Sequence, residues 1–334
     1  MRAVAFLVVA GVCSAQGPAI NPAAARLEQT LGGLDGAGVG VAASDGVGLF
    51  AAAEDRALHY WTPDLLLGVR ASDGGNFALR GHAGPVVGVA AGGKTVASAG
   101  ADGKVFVWAP PADKAKLVLD AKGPIRAVAV SADGKVVAAG GEDGAVHLWD
   151  VEKGPAGTKI AASDDWLLAV AFSPDGKLVA AGGHDGMWRL FEVAGGKKVV
   201  ESDAAPPPMK KDDPREVVVV TAVAVAPDGK ALAVGGGNGQ VYQYQADGKF
   251  VRALSGHTAG VADLAFHPSG KLLASAGKDR TIRLWDPANG QAVKTLEGHT
   301  AWVSGVAFYG QGTRLASVSA DRTVKLWDLT EPKK

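Results

Sequence analysis

The chain has a single cysteine in 334 residues, Cys13, and it lies close to the N-terminus. Past that point neither disulfide stapling nor thiol chemistry is available. A surplus of either charge is also lacking, since Lys plus Arg and Asp plus Glu both number 34. No whole-molecule pull toward nucleic acid or anionic lipid is therefore expected. A membrane-spanning helix needs roughly 20 apolar residues, and the N-terminal run over residues 3–12 is about half that. There is no His-Glu-x-x-His stretch, no Cys/His array, and no glycine run carrying the lysine of a phosphate loop. No metal or cofactor is expected. What is plentiful is Gly (47 residues) and an apolar fraction of 47%, much of it Ala and Val. That balance suits a buried core of short strands joined by many tight turns.

The first fifteen residues differ from the rest. Met1 and Arg2 form a minimal positive region, residues 3–12 are apolar, and Cys13-Ser14-Ala15 places small residues ahead of Gln16. This is the pattern of a secretory signal peptide. A buried N-terminal strand is the alternative, and lipoprotein processing at Cys13 is disfavoured by the bulk of Val12. The expected organisation is a signal peptide over 1–15, a linker over 16–24 and a single folded unit over 25–331. The product would be exported, to the periplasm or the extracellular space.

Within that unit an aromatic residue recurs at the end of a strand, at Trp61, Trp108, Trp149, Phe191, Tyr244, Trp285 and Trp327. The intervals are 47, 41, 42, 53, 41 and 42 residues. A period in the low forties is the length of one four-stranded propeller blade, so an all-β, seven-bladed β-propeller of antiparallel blades is expected. Residues 256–286 and 298–328 repeat most clearly, each opening on Gly-His and closing on Trp-Asp. After Asp328 the tail contains Pro332 and two lysines, a poor strand. The segment over 26–33 resembles 292–299, the fourth strand of the preceding repeat. The N-terminal strand is thus expected to complete the last blade and protect its edge.

These features resemble the WD-repeat β-propeller family over roughly residues 25–330. The resemblance implies a hydrogen-bonded set of His, Ser, Asp and Trp within a blade. Carried over, the sets are His82, Ser98, Asp102 and Trp108; His257, Ser275, Asp279 and Trp285; and His299, Ser317, Asp321 and Trp327. Ser, His and Asp together also invite a catalytic reading, but a triad needs one exposed nucleophile beside an oxyanion hole. Repetition of the set, each time with a Trp, favours structural pinning. The other blades depart: Ala121-Lys122 replaces Gly-His in blade 3, Phe191 replaces Trp in blade 4, and blade 5 has Asn238 and Tyr244.

The resemblance also implies a non-catalytic scaffold binding a protein or peptide partner on the Gly-His face, and Arg56, Arg280, Arg322, Trp166 and Trp302 are the candidate contacts there. The three arginines each follow a turn aspartate, on blades that become contiguous when the ring closes. Trp and Arg dominate binding energetics where they cluster. Two long intervals mark surface insertions, a proline-rich loop over 202–216 and a segment over 62–76 containing Leu65-Leu66-Leu67. The rivals are a periplasmic hydrolase or lyase acting at the channel mouth and a module of a larger assembly. For the enzyme, Asp263 is the only acid on the innermost strands.

Overall fold

A computed structural model describes residues 20–62, 76–110, 112–205 and 217–330. They form seven four-stranded antiparallel sheets. In six, the strands follow one another from the centre outward; in the seventh the outermost strand comes from the N-terminus. The innermost strands of blades 1 to 7 are Gly38–Ser44, Val86–Gly92, Ile125–Val130, Leu167–Phe172, Val220–Val225, Val261–Phe266 and Val303–Tyr309. Each packs against the next, and the last packs against the first, closing the ring.

The inner strands are buried on both faces because a neighbouring blade covers each side, and they read as near-continuous apolar runs. Outer strands are covered on one side only; Gly157–Ala161 buries just Ile160. All seven inner strands carry a register shift after their first residue. Such a bulge re-aims a side chain. The residues it displaces are Val39, Val87, Arg126, Leu168, Thr221, Ala262 and Ser304, and most of them line the mouth of the central channel.

Closure is specific. Arg26–Leu31 pairs antiparallel with Val324–Asp328, with Leu27 opposite Trp327 and Leu31 opposite Val324. Ala25 and Leu31 are buried. Arg26 pairs with Asp328, Arg314 reaches Glu28 at 2.9 Å, and the Asn21 N–H donates to the Leu329 carbonyl at 2.7 Å. Residues 22–24, read as linker, form a short 3-10 turn (Pro22–Ala24), whose Ala23 carbonyl accepts from Lys294 at 2.9 Å.

One sequence expectation needs correction. Ser202 and Asp203 do not begin a loop but end the outer strand of blade 4, Lys198–Asp203. Ala204 is fully buried, and the Tyr244 hydroxyl lies 2.9 Å from the Asp203 carbonyl and 2.8 Å from that of Ala204. The tyrosine that replaces Trp in blade 5 thus holds the strand end in place. The rest of that insertion, over 206–216, lies outside the described residues, as do the 63–75 segment and the expected signal peptide.

Candidate functional site

Three blades carry the four-residue set in full. In blade 6 the Trp285 indole donates to Ser275 Oγ at 2.8 Å, Ser275 meets His257 Nε2 at 2.7 Å, and His257 Nδ1 meets Asp279 at 2.9 Å. Blade 7 repeats this through Trp327, Ser317, His299 and Asp321 at 2.9, 2.8 and 2.8 Å. In blade 2, Trp108, Ser98 and His82 are linked at 2.9 and 2.9 Å, with the longer contact, 3.2 Å, to Asp102. The partners assign a neutral imidazole, with Nδ1–H donating to the carboxylate and Nε2 accepting from serine.

Each aspartate also ties down backbone. Asp279 accepts from the N–H of Thr258 and of Thr281, and Asp321 does the same for Thr300 and Thr323. Burial opposes ionisation of Asp102, Asp279 and Asp321, but these hydrogen bonds prevail and hold all three below the ordinary carboxylate value. Burial draws His82, His257 and His299 below the ordinary histidine value despite the adjacent aspartate. Ser98, Ser275 and Ser317 are fully buried. They sit where a substrate cannot reach them, and each is engaged by a tryptophan.

The remaining blades meet the turn residue from close by, and in blade 4 Ser163, 22 residues earlier, also donates to Asp185 at 2.7 Å. The turn Asp or Asn finds a partner four residues on, in the third strand that the turn opens. His59 Nε2 lies 2.7 Å from Asp55 and His147 Nε2 2.9 Å from Asp143. Arg189 lies 2.7 Å from Asp185, and Asn238 donates to the Tyr242 hydroxyl at 2.9 Å. His147 stacks on Trp149 with ring centres 5.6 Å apart. Sequence reasoning missed these pairs, although the signal is visible as an acid or amide followed at the fourth place by His, Arg or Tyr.

The residue after the turn acid has a left-handed backbone in every blade. Gly103, Gly144, Gly186 and Gly239 adopt it freely, whereas Arg56, Arg280 and Arg322 hold φ of 67°, 73° and 67°. An L-residue there costs about 1–2 kcal/mol. All three arginines are exposed on the Gly-His face.

That face holds the channel mouth, a cavity of about 1120 Å³. Trp302 and Arg322 line it, together with Lys278, whose Nζ lies 5.6 Å from the Trp302 ring centre. Trp166, Arg56 and Arg280 do not line it. Trp166 stands beside the cavity, 5.2 Å from the guanidinium of Arg126, which does line it and pairs with Glu142. Trp166 also meets His184 edge-on, with ring centres 5.4 Å apart. The five residues proposed as one surface therefore divide. Trp302 and Arg322 share the mouth, Trp166 joins it through Arg126, and Arg56 and Arg280 lie outward of it.

Asp263 is fully buried, accepting from the Leu264 N–H at 2.8 Å and from the Val306 N–H of the next blade at 2.9 Å. Burial raises it well above the ordinary carboxylate value. It links inner strands and does not line the cavity. Among the described residues, no group of three or more His, Cys, Asp or Glu is placed to hold a metal, and no helix is long and apolar enough to cross a membrane.

The family described as WD domain, G-beta repeat matches residues 76–109, 114–150, 156–192, 248–286 and 290–328. Blades 3 and 4 match without a Gly-His, while the inner strands of blades 1 and 5 are not matched. Similar proteins include an uncharacterized WD repeat-containing protein of Synechocystis, 40% identical over 68 residues, or 20% of each chain. A nuclear distribution protein of Talaromyces marneffei is 40% identical over 55 residues, 16% of this chain and 12% of that protein. A periodic tryptophan protein 2 homolog of Schizosaccharomyces pombe is 34% identical over 71 residues, 21% of this chain and 8% of that protein. The chain thus spans a fifth or less of these relatives. The repeat matches, in contrast, cover more than half of the chain and fall on blades that carry the Asp and aromatic marks. By them, the chain belongs to the WD-repeat family of β-propellers.

Proposed function

We propose that the protein is an exported, non-catalytic scaffold that binds a protein or peptide partner at the channel mouth on its Gly-His face. The observation that carries this reading is the 1120 Å³ cavity, with Trp302 at its rim 47% exposed and Lys278 stacked on it. An aromatic side chain held beside a cation over a cavity is the composition of a binding hot spot. A ring closed by strand pairing presents such groups rigidly, so little ordering entropy is lost on association. Arg322 supports the same reading. It holds a backbone conformation that glycine adopts at lower cost in four other blades, and such outliers concentrate at functional sites. The signal-type pattern over residues 1–15 supports export.

The test is affinity capture from the exported fraction with wild type and with Trp166→Ala/Trp302→Ala/Arg322→Ala, each captured protein being purified and re-bound. Selective loss on the variant is expected; equal recovery of every protein removes this face from consideration. Mass spectrometry of the exported chain should find Gln16 at its N-terminus. An unprocessed cytoplasmic chain removes the export claim.

A further inference from the structure

The cavity at the mouth changes character along its length. Its lining runs over blades 6, 7, 1, 2 and 3, with no contribution from blades 4 and 5. On that side Leu168 and Val219 pack against Ala262 of blade 6, which itself lines the cavity. Three chemistries follow one another along the resulting crescent. Over blades 6 and 7, Lys278 and Arg322 accompany Trp302, and burial draws Lys278 below the ordinary lysine value. Over blade 1, Asp35 and Glu54 line the cavity and are exposed. Their neighbour Asp55 is already occupied by His59 and by the N–H groups of Asp35 and Ala57. Over blade 2 the lining is Pro85, Val86, Val87 and Ala101, all without charge. At the far end Arg126 and Glu142 pair with each other.

We propose that this crescent reads an extended segment of a partner protein in which a carboxylate, a basic side chain and an apolar side chain follow one another. The carboxylate meets Lys278 and Arg322 beside Trp302, the basic group meets Asp35 and Glu54, and the apolar group rests on blade 2. The inference rests on the mouth being the docking site. The order of charges follows from the placing of the sectors. The cationic and acidic sectors sit on adjacent blades, so a segment of uniform charge sets like charge against one of them. An uncharged segment desolvates both sectors and returns nothing. An extended chain advances about 3.3 Å per residue and turns every second side chain to the same face, so alternate side chains reach successive sectors.

The test uses random twelve-residue peptides displayed on phage, selected on the immobilised full chain. Parallel selections use Trp302→Ala, Lys278→Glu/Arg322→Glu and Asp35→Lys/Glu54→Lys, each checked by thermal melting. The neutral pair Lys278→Gln/Arg322→Gly replaces the first reversal if that variant does not fold. Wild type should enrich peptides carrying both an acid and a base. Lys278→Glu/Arg322→Glu should cut acid-bearing clones about tenfold, the effect of about 1.4 kcal/mol, and Asp35→Lys/Glu54→Lys should do the same to base-bearing clones. Pools lost on Trp302→Ala yet indifferent to both reversals overturn the charge order and leave the mouth as the docking site. Pools that survive all three variants bind elsewhere and overturn both readings, as does no enrichment above an uncoated surface.

Discussion

His147, in the third strand of blade 3, closes on Asp143 in the turn four residues before it, with Nε2 2.9 Å from the carboxylate. In blade 6 the corresponding carboxylate, Asp279, is met instead by His257, which lies 22 residues earlier and itself joins Ser275 and Trp285. The two arrangements satisfy the same turn acid but tie down different amounts of chain. The local pair ties the turn only to the strand that follows it. The longer network joins the loop entering a blade to its second and third strands.

The two should therefore differ in what their loss costs. His257→Ala leaves the buried Ser275 and Asp279 short of a partner, and each such group costs about 1–3 kcal/mol. His147→Ala breaks a partly exposed pair worth about 1 kcal/mol or less. Urea unfolding of the two variants should show a clearly larger drop for His257→Ala. Equal losses would mean that the long network adds nothing beyond its local contacts.

The ring was legible in the sequence because blade length is a consequence of four short strands, so the marks from Trp61 to Trp327 keep a narrow period. The clasp was legible for the same reason, since residues 26–33 echo an outer strand. The partner of Asp143 was not, because the complete blades place the histidine 20 or 22 residues before the aspartate, where blade 3 has Ala121-Lys122 instead of Gly-His. The mouth was half legible. Trp302 and Trp166 stand at matching places before an inner strand, but nothing along the chain says that Arg126 of blade 3 lies under Trp166 of blade 4. That contact depends on the packing of neighbouring blades and on the bulge that re-aims Arg126.

The serines of the networks should be inert as nucleophiles. Ser275 is fully buried, with His257 at 2.7 Å and the Trp285 indole at 2.8 Å. A fluorophosphonate probe should leave Ser98, Ser275 and Ser317 unlabelled in the folded chain. Labelling that disappears on Ser275→Ala would return the hydrolase reading.

Acidification should weaken the fold in two stages. Burial lowers His82, His257, His267 and His299 in the folded state, so below the ordinary value of 6.5 the unfolded chain binds protons that the folded chain does not. Stability is then lost as pH falls from 6.5, at up to about 1.4 kcal/mol per pH unit for each histidine. Asp102, Asp279 and Asp321 are lowered from 3.8, and their contribution is present above that value and lost as pH falls through it and below. Asp263, raised by burial, acts in the opposite sense and favours the folded state at lower pH. The urea midpoint should be flat above about pH 7 and decline toward pH 5.5. A midpoint that rises over that interval even with Asp263→Asn in place would show that the imidazoles are charged in the folded protein.

The clasp gives the most direct test of the ring. Deleting residues 20–33 strips Val324–Asp328 of its hydrogen-bonding partner and uncovers Trp327, which is 3% exposed in the intact chain. It also removes the buried Ala25 and Leu31 and the ion pairs from Arg26 and Glu28. A bare strand edge beside an apolar surface recruits other chains, so the shortened protein should melt at a lower temperature and elute as oligomers. A synthetic peptide spanning residues 20–33, added in excess, should restore the elution volume of the intact chain and raise the melting temperature with the logarithm of its concentration, as for any ligand of the folded state alone. Replacing Leu27 and Leu31 in that peptide by Asp should abolish the rescue, because Leu31 is buried opposite Val324 and Leu27 lies opposite Trp327. Unchanged melting after the deletion would mean that the blade holds without its fourth strand, and rescue by the Asp-substituted peptide would mean that pairing there does not depend on the apolar contacts of Leu27 and Leu31.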